Sequence, residues 1–270
     1  MIEYLVGLAC PVKEAVRPEA LMRALKSRAR VDAAFAAARA EGADPALTQV
    51  RLSGVDAEGG ERTEVVLLGE LERRTTEALA PVLPLAGHCD GCRARAARTA
   101  FGCYGTIGYP LLAATEELLM DRLPPVLGTV SGSFLVRAVR ELGFDGAPVA
   151  KMRALPGVFF ERERPVTQRW ASERGTWEMT SDQLVHMTFF SGRSRASHAL
   201  LLALVLGVVP HGISPEAIEP AVADPRTLAD VMDPILLPSA LMQTQLGEIA
   251  RFLEAIRKAV SLGCDLVVDA

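Results

Sequence analysis

A cysteine-rich segment interrupts an otherwise periodic sequence and constrains the fold more than any other feature. Its motif is His88-Cys89-Asp90-Gly91-Cys92, and Cys103 follows to complete the spacing C-x2-C-x10-C. The surrounding residues 83–110 show neither a sustained helical period nor a sustained strand period. A long irregular stretch inside a compact domain is usually functional or tied down by something. We therefore expect a bound metal or a redox pair in this segment.

Zinc is the metal that the motif favours. C-x2-C places two thiolates on one tight turn, a geometry that suits tetrahedral Zn²⁺. The predicted ligands are Cys89, Cys92 and Cys103, with His88 as the candidate fourth, although adjacent residues tend to point apart. An iron–sulfur cluster is the alternative, since thiolates are its usual ligands, but the spacing matches neither common ferredoxin run. We favour zinc over an iron–sulfur cluster because zinc readily accepts a coordination shell that mixes cysteine and histidine.

Two interpretations of the cysteines need no metal. A C-x-x-C pair lowers the pKa of its first thiol, and the nearby Arg93, Arg95 and Arg98 would favour the thiolate further. That would make the motif a thiol redox site. Alternatively, these are ordinary buried cysteines, because reduced cysteine is among the most buried residue types.

A second candidate site precedes a nearly all-apolar segment, 194–206, that we predict to be a buried helix. Backbone amides at a helix N-terminus attract anions, and two arginines lie beside this one. The predicted site for an anionic small molecule comprises Arg193, Ser194 and Arg195. Ser194 acting as a plain N-cap would explain the serine without any ligand.

The periodic segments predict an α+β fold with three parts. A small N-terminal strand–helix–hairpin unit comes first, the Cys-rich irregular loop follows, and the C-terminal half is mainly helical. We expect residues 1–110 to form a mixed α/β unit that ends in the loop, and residues 111–270 to form a mainly helical part. One continuous domain is the alternative. The predicted elements are strands at 2–8, 49–54, 63–71 and 266–268 and helices at 18–41, 111–123, 133–142, 181–189, 194–206 and 241–262.

Composition and charge limit the class of protein. Half of the residues are apolar and 23% are charged, which is typical of a globular chain. The net charge of −4 argues against a dedicated nucleic-acid binder. The most apolar stretch, 199–209, is shorter than the roughly 20 residues that a membrane-spanning helix requires. The first residues lack the basic region of a signal peptide. We therefore expect a soluble cytoplasmic protein.

The functional expectation follows from the cysteine motif. We expect a metal-binding protein with structural zinc that acts as an interaction or regulatory module and whose partner is another protein. The alternative is an enzyme, an iron–sulfur or thiol-dependent oxidoreductase that uses the same cysteines, with Arg193 and Arg195 holding an anionic substrate. The sequence contains no recognisable nucleophile elbow, metalloprotease motif or dinucleotide fingerprint. It leaves open whether the chain is an enzyme.

Overall fold

A computed structural model describes residues 1–55, 61–96, 101–172, 175–190, 193–194, 196–232, 234 and 244–269. The chain is 54% helical and 15% strand, with several small sheets, so the predicted α+β class is confirmed. Contacts divide it into two compact units. One unit is Ala9–Asp90, which we call the inserted unit, and the other comprises Met1–Leu8 and Gly91–Ala270, which we call the discontinuous unit.

The elements follow in chain order. The helices are α1 (Pro11–Ala15), α2 (Pro18–Ala40), α3 (Leu68–Leu79), α4 (Ala113–Asp121), α5 (Val130–Glu141), α6 (Ala147–Arg153), α7 (Ser181–Phe189), α8 (Ala196–Val205), α9 (Pro215–Ala223) and α10 (Gln245–Leu262). The strands are β1 (Ile2–Val6), β2 (Gln49–Val55), β3 (Glu61–Leu67), β4 (Tyr104–Ile107), β5 (Thr167–Ser172), β6 (Gly175–Thr180), β7 (Arg193–Ser194) and β8 (Leu266–Asp269). Short 3-10 helices span Pro45–Leu47, Leu83–Cys89 and Pro225–Leu228.

The first strand belongs with the C-terminal part of the chain. β1 pairs antiparallel with both β4 and β8 in a sheet of order β4-β1-β8-β7, and all five of its residues are buried. The inserted unit therefore lies, in the sequence, between β1 and β4, two strands that are neighbours in one sheet. The boundary expected at residue 110 lies inside the discontinuous unit, because periodicity identifies strands without showing which of them pair.

Aromatic packing joins this sheet to the longest helix of the discontinuous unit. Phe252 on α10 lies with its ring centroid 5.1 Å from that of Tyr4 on β1 and 5.1 Å from that of Phe189 on α7. Every residue of α8 from Ala199 to Val205 is buried, and α8 packs against α10. The core of this unit is therefore the apolar layer between the sheet and α10, and the buried helix α8 also packs against α10.

A buried ionic cluster ties three further helices together. The guanidinium of Arg153 on α6 donates to Glu116 on α4 at 2.5 Å and to Asp182 on α7 at 2.7 Å. The hydroxyl of Ser181 also donates to Glu116, at 2.6 Å, and the guanidinium carbon lies 4.0 Å from the Phe160 ring centroid. The exposed fractions of the three charged side chains are 4% for Arg153, 0% for Glu116 and 8% for Asp182.

Replacement of Arg153 by methionine should therefore lower the free energy of unfolding severely. Glu116 and Asp182 would lose Arg153, the one cation that pairs with them among the described residues. Breaking a buried ion pair in this way costs about 3–5 kcal/mol. Urea denaturation followed by circular dichroism measures the loss. The control is Arg137→Met, which removes an exposed pair with Glu141 at 3.0 Å and should cost at most about 1 kcal/mol. Equal losses in the two variants would contradict the role of the cluster.

The inserted unit builds its own layer from two helices and a hairpin. α2 begins at Pro18, a residue whose fixed φ suits the first helical position. β2 and β3 pair antiparallel over their whole length, with Gln49 opposite Leu67. α3 follows β3 without a break, so the strand that the sequence predicts as far as residue 71 ends at Leu67 instead. The physical reason is that Leu68, Leu71 and Thr75 recur at helical spacing and face the same side.

Candidate functional site

The structure distributes the four predicted zinc ligands over both units. Cys89 is buried and is the last residue of the 3-10 helix Leu83–Cys89, which also contains the exposed His88. Cys92 is half-buried, and Cys103 is buried with its carbonyl accepting from the amide of Val6 at 2.9 Å. Among the residues that the structure describes, no group of three or more histidine, cysteine or acidic side chains could hold a metal ion. The zinc site stays a prediction from the sequence.

Hydrogen bonds hold the C-terminal end of the cysteine segment. β4 lies inside this segment and pairs with β1, so the backbone from Tyr104 to Ile107 is part of a sheet. Beyond it, the side chain of Gln245 on α10 donates to the carbonyls of Gly108 at 2.9 Å and Pro110 at 2.8 Å and accepts from the amide of Leu112 at 2.8 Å. We expected a bound metal to order this segment. At its C-terminal end, strand pairing and the side chain of Gln245 hold the backbone in place.

The predicted anion site is described only in part. Arg193 and Ser194 form the short strand β7, which pairs with Val267 and Leu266, and Arg195 lies outside the described residues. α8 begins at Ala196, two residues after the serine that the sequence suggests as its first residue. The backbone of Arg193 and Ser194 is thus engaged in a sheet, and the anion site stays a prediction.

Metal content decides the cysteine hypothesis directly. If Cys89, Cys92, Cys103 and His88 bind structural zinc, elemental analysis of the purified chain should find about one zinc per chain. Cys89→Ser should then lower both the zinc content and the melting temperature, because metal binding contributes to folding. Cys264→Ser, outside the motif, should change neither.

A brown protein with bound iron would favour the iron–sulfur alternative instead, since iron–sulfur clusters absorb visible light and zinc does not. Absence of metal together with an unchanged melting temperature in Cys89→Ser would end the metal hypothesis.

The inserted unit carries a trough beside α2, which we call the α2 groove. Its volume is about 710 Å³. One wall is a stripe of mostly small side chains along α2. The residues of this stripe are Ala20, Ala24, Ser27, Val31 and Ala34.

The opposite wall and the floor come from α3 and from the hairpin. On α3 the groove is lined by Leu68, Leu71, Thr75 and Ala78. Val50 and Leu52 of β2 complete it, and they lie on one face of the strand because side chains alternate. Leu52 is 39% exposed, so part of the apolar lining faces solvent.

Every charged residue among the described ones that line the groove is an arginine. Arg23 and Arg30 lie on α2 beside the small-residue stripe, and Arg74 lies on α3. The positive charge of Arg74 is balanced by Glu70, whose carboxylate accepts a hydrogen bond from the guanidinium at 2.8 Å. Hydrogen bonds from Arg73 and Arg74 lower the pKa of Glu70 to about 2, so this carboxylate stays charged near neutral pH. Arg23 and Arg30 form no ion pair with any residue that the structure describes.

Sequence reasoning finds α2 but misses the groove. The apolar positions that mark the helix in the sequence include Ala29, Ala33 and Ala36, which are exposed in the structure. The spacing of Ala20, Ala24, Ser27, Val31 and Ala34, alternately four and three residues, is the signal that could have shown it. Alanine occurs on both faces of this helix, so the stripe does not stand out from the other alanines.

Comparisons with known proteins add no relative. No family model, no curated protein and no solved structure matches the chain. Over the described residues, no helix has the length and apolar character needed to cross a membrane.

Proposed function

We propose that this chain is an interaction module whose α2 groove binds an α-helix of another protein. The observation that carries the proposal is the stripe of small side chains on α2, which leaves an apolar trough open along the helix. Structural zinc at the cysteine motif remains a separate part of the proposal, supported by the ligand spacing. We also propose a cytoplasmic location, because clustered cysteines serve as metal ligands or reactive thiols in a reducing compartment.

The spacing of the stripe favours a helical occupant. Steps of four, three, four and three residues from Ala20 to Ala34 repeat every seven residues, as they do along the contact line of a coiled coil. On such a line, each large side chain of one helix inserts among four residues of the other. Alanine and serine leave the room that a partner's leucine side chains would fill. The stripe is about 21 Å long at 1.5 Å per residue, which matches about four helical turns.

Exposure of the lining favours a macromolecule over a small ligand. Small-molecule pockets usually bury 70–90% or more of a drug-sized ligand. Here Ser27 and Ala78 are exposed and Leu52 is 39% exposed, so the groove is an open trough. A helix laid in the trough would cover these apolar surfaces along their whole length, which is a common mode of peptide recognition.

Blocking the groove tests this proposal. Phage-displayed helical peptides with apolar residues at heptad spacing are selected against the full chain, and their affinity is then measured by fluorescence anisotropy. Ala24→Trp should weaken binding of the selected peptides at least about tenfold, because the indole would fill space that a partner side chain needs. Ala33→Trp is the matched control, since Ala33 is exposed on the same helix and lies outside the groove.

Circular dichroism must show that both variants keep the helix content and the melting temperature of the original chain. Failure to select any peptide, or equal affinity of the selected peptides for Ala24→Trp and the original chain, would contradict the proposed function.

A further inference from the structure

We propose that the helix in the α2 groove is acidic along one edge, with carboxylates seven residues apart that pair with Arg23 and Arg30. This inference rests on the proposed function and names the chemistry of the partner. It is carried by the two arginines, which line the groove and lie on the same side of the small-residue stripe.

The positions of the arginines match those of the charged residues that flank a coiled-coil contact line. Each precedes a stripe residue by one position, Arg23 before Ala24 and Arg30 before Val31. The flanking positions of a coiled coil commonly carry charges that pair with the facing helix and decide which partner binds. Seven residues separate the two arginines, so they lie about 10.5 Å apart along the axis.

Their lack of ion pairs distinguishes these two arginines from Arg28 and Arg74. On the same helix, Arg28 is paired with Asp32 at 2.9 Å, and across the groove Arg74 is paired with Glu70 at 2.8 Å. Arg23 and Arg30 are exposed and have no ion pair among the described residues. No acidic side chain lines the described groove, so an incoming helix meets a positive edge.

This charge pattern disfavours two other occupants. A second copy of the chain would place its own α2 arginines at flanking positions of the same seam, and like charges that face each other there are destabilising. A fatty acid has one carboxylate and would neutralise only one of two arginines that are about 10.5 Å apart. A helix with two acidic residues at heptad spacing neutralises both.

Designed peptides test the inference on the full chain. Three 21-residue helices carry leucine at the four-three spacing and differ only at the flanking positions, which are glutamate, glutamine or lysine. At low salt, the glutamate peptide should bind about two- to thirtyfold more tightly than the glutamine peptide, the range that two exposed ion pairs supply. Added sodium chloride should narrow this difference, because salt screens exposed charges.

Charge reversal on the protein should reverse the preference. Arg23→Glu with Arg30→Glu should weaken the glutamate peptide and strengthen the lysine peptide. The matched control is Arg17→Glu with Arg39→Glu, which makes the same change in net charge at two exposed positions of the same region outside the groove. The control should leave the order of the three peptides unchanged.

The outcomes separate this inference from the proposed function. If all three peptides bind equally and Arg23→Glu with Arg30→Glu changes nothing, while Ala24→Trp still weakens binding at least about tenfold, the acidic edge is wrong and the groove function stands. If no peptide binds, and either a fluorescent fatty acid binds or light scattering finds a dimer that Ala24→Trp dissociates, the inference and the proposed function are both overturned.

Discussion

Backbone pairing of β1 with both β4 and β8 organises the discontinuous unit. It joins three segments that are far apart in the sequence in one sheet, in which β1 is fully buried. Because β1 and β4 are neighbours, the chain between them must leave the sheet at the end of β1 and return to it at β4. Ala9–Asp90 is compact by itself and closes on itself through the packing of α2, α3 and the β2–β3 hairpin.

The composition of α2 explains why this small layer leaves a groove. Alanine has the highest helix propensity, so a helix rich in it forms readily. Its side chain, however, fills little space, so the stripe from Ala20 to Ala34 leaves a trough open where α2 packs beside α3 and β2. An apolar trough of this kind is costly to leave in water, and contiguous exposed apolar surface usually marks an interaction site. Arginines at its edge give the trough a charged and solvated rim.

The sequence predicts those parts of the fold that carry strong local signals. The helix α7 begins where the sequence suggests, because Thr180 and Gln183 form a capping box, and α10 ends at Gly263, whose φ of 60° suits glycine. Strands with a mixed polar sequence, such as β5 and β6, give no such signal and are found only in the structure. The groove depends on which face of α2 lies toward α3, and alanines on both faces of this helix obscure that face in the sequence. The cysteine motif is visible in the sequence, but spacing alone does not show that thiolates converge.

Hydrogen exchange of the full chain, measured with and without a saturating concentration of the glutamate-flanked peptide, decides whether a helix occupies the α2 groove. Backbone amides slow their exchange where a partner stabilises local structure. Binding in the groove predicts slower exchange in peptide fragments from α2, Pro18–Ala40, and from α3, Leu68–Leu79, and unchanged exchange in α10, Gln245–Leu262. Unchanged exchange in α2 and α3 at saturation, or protection confined to the discontinuous unit, would contradict it.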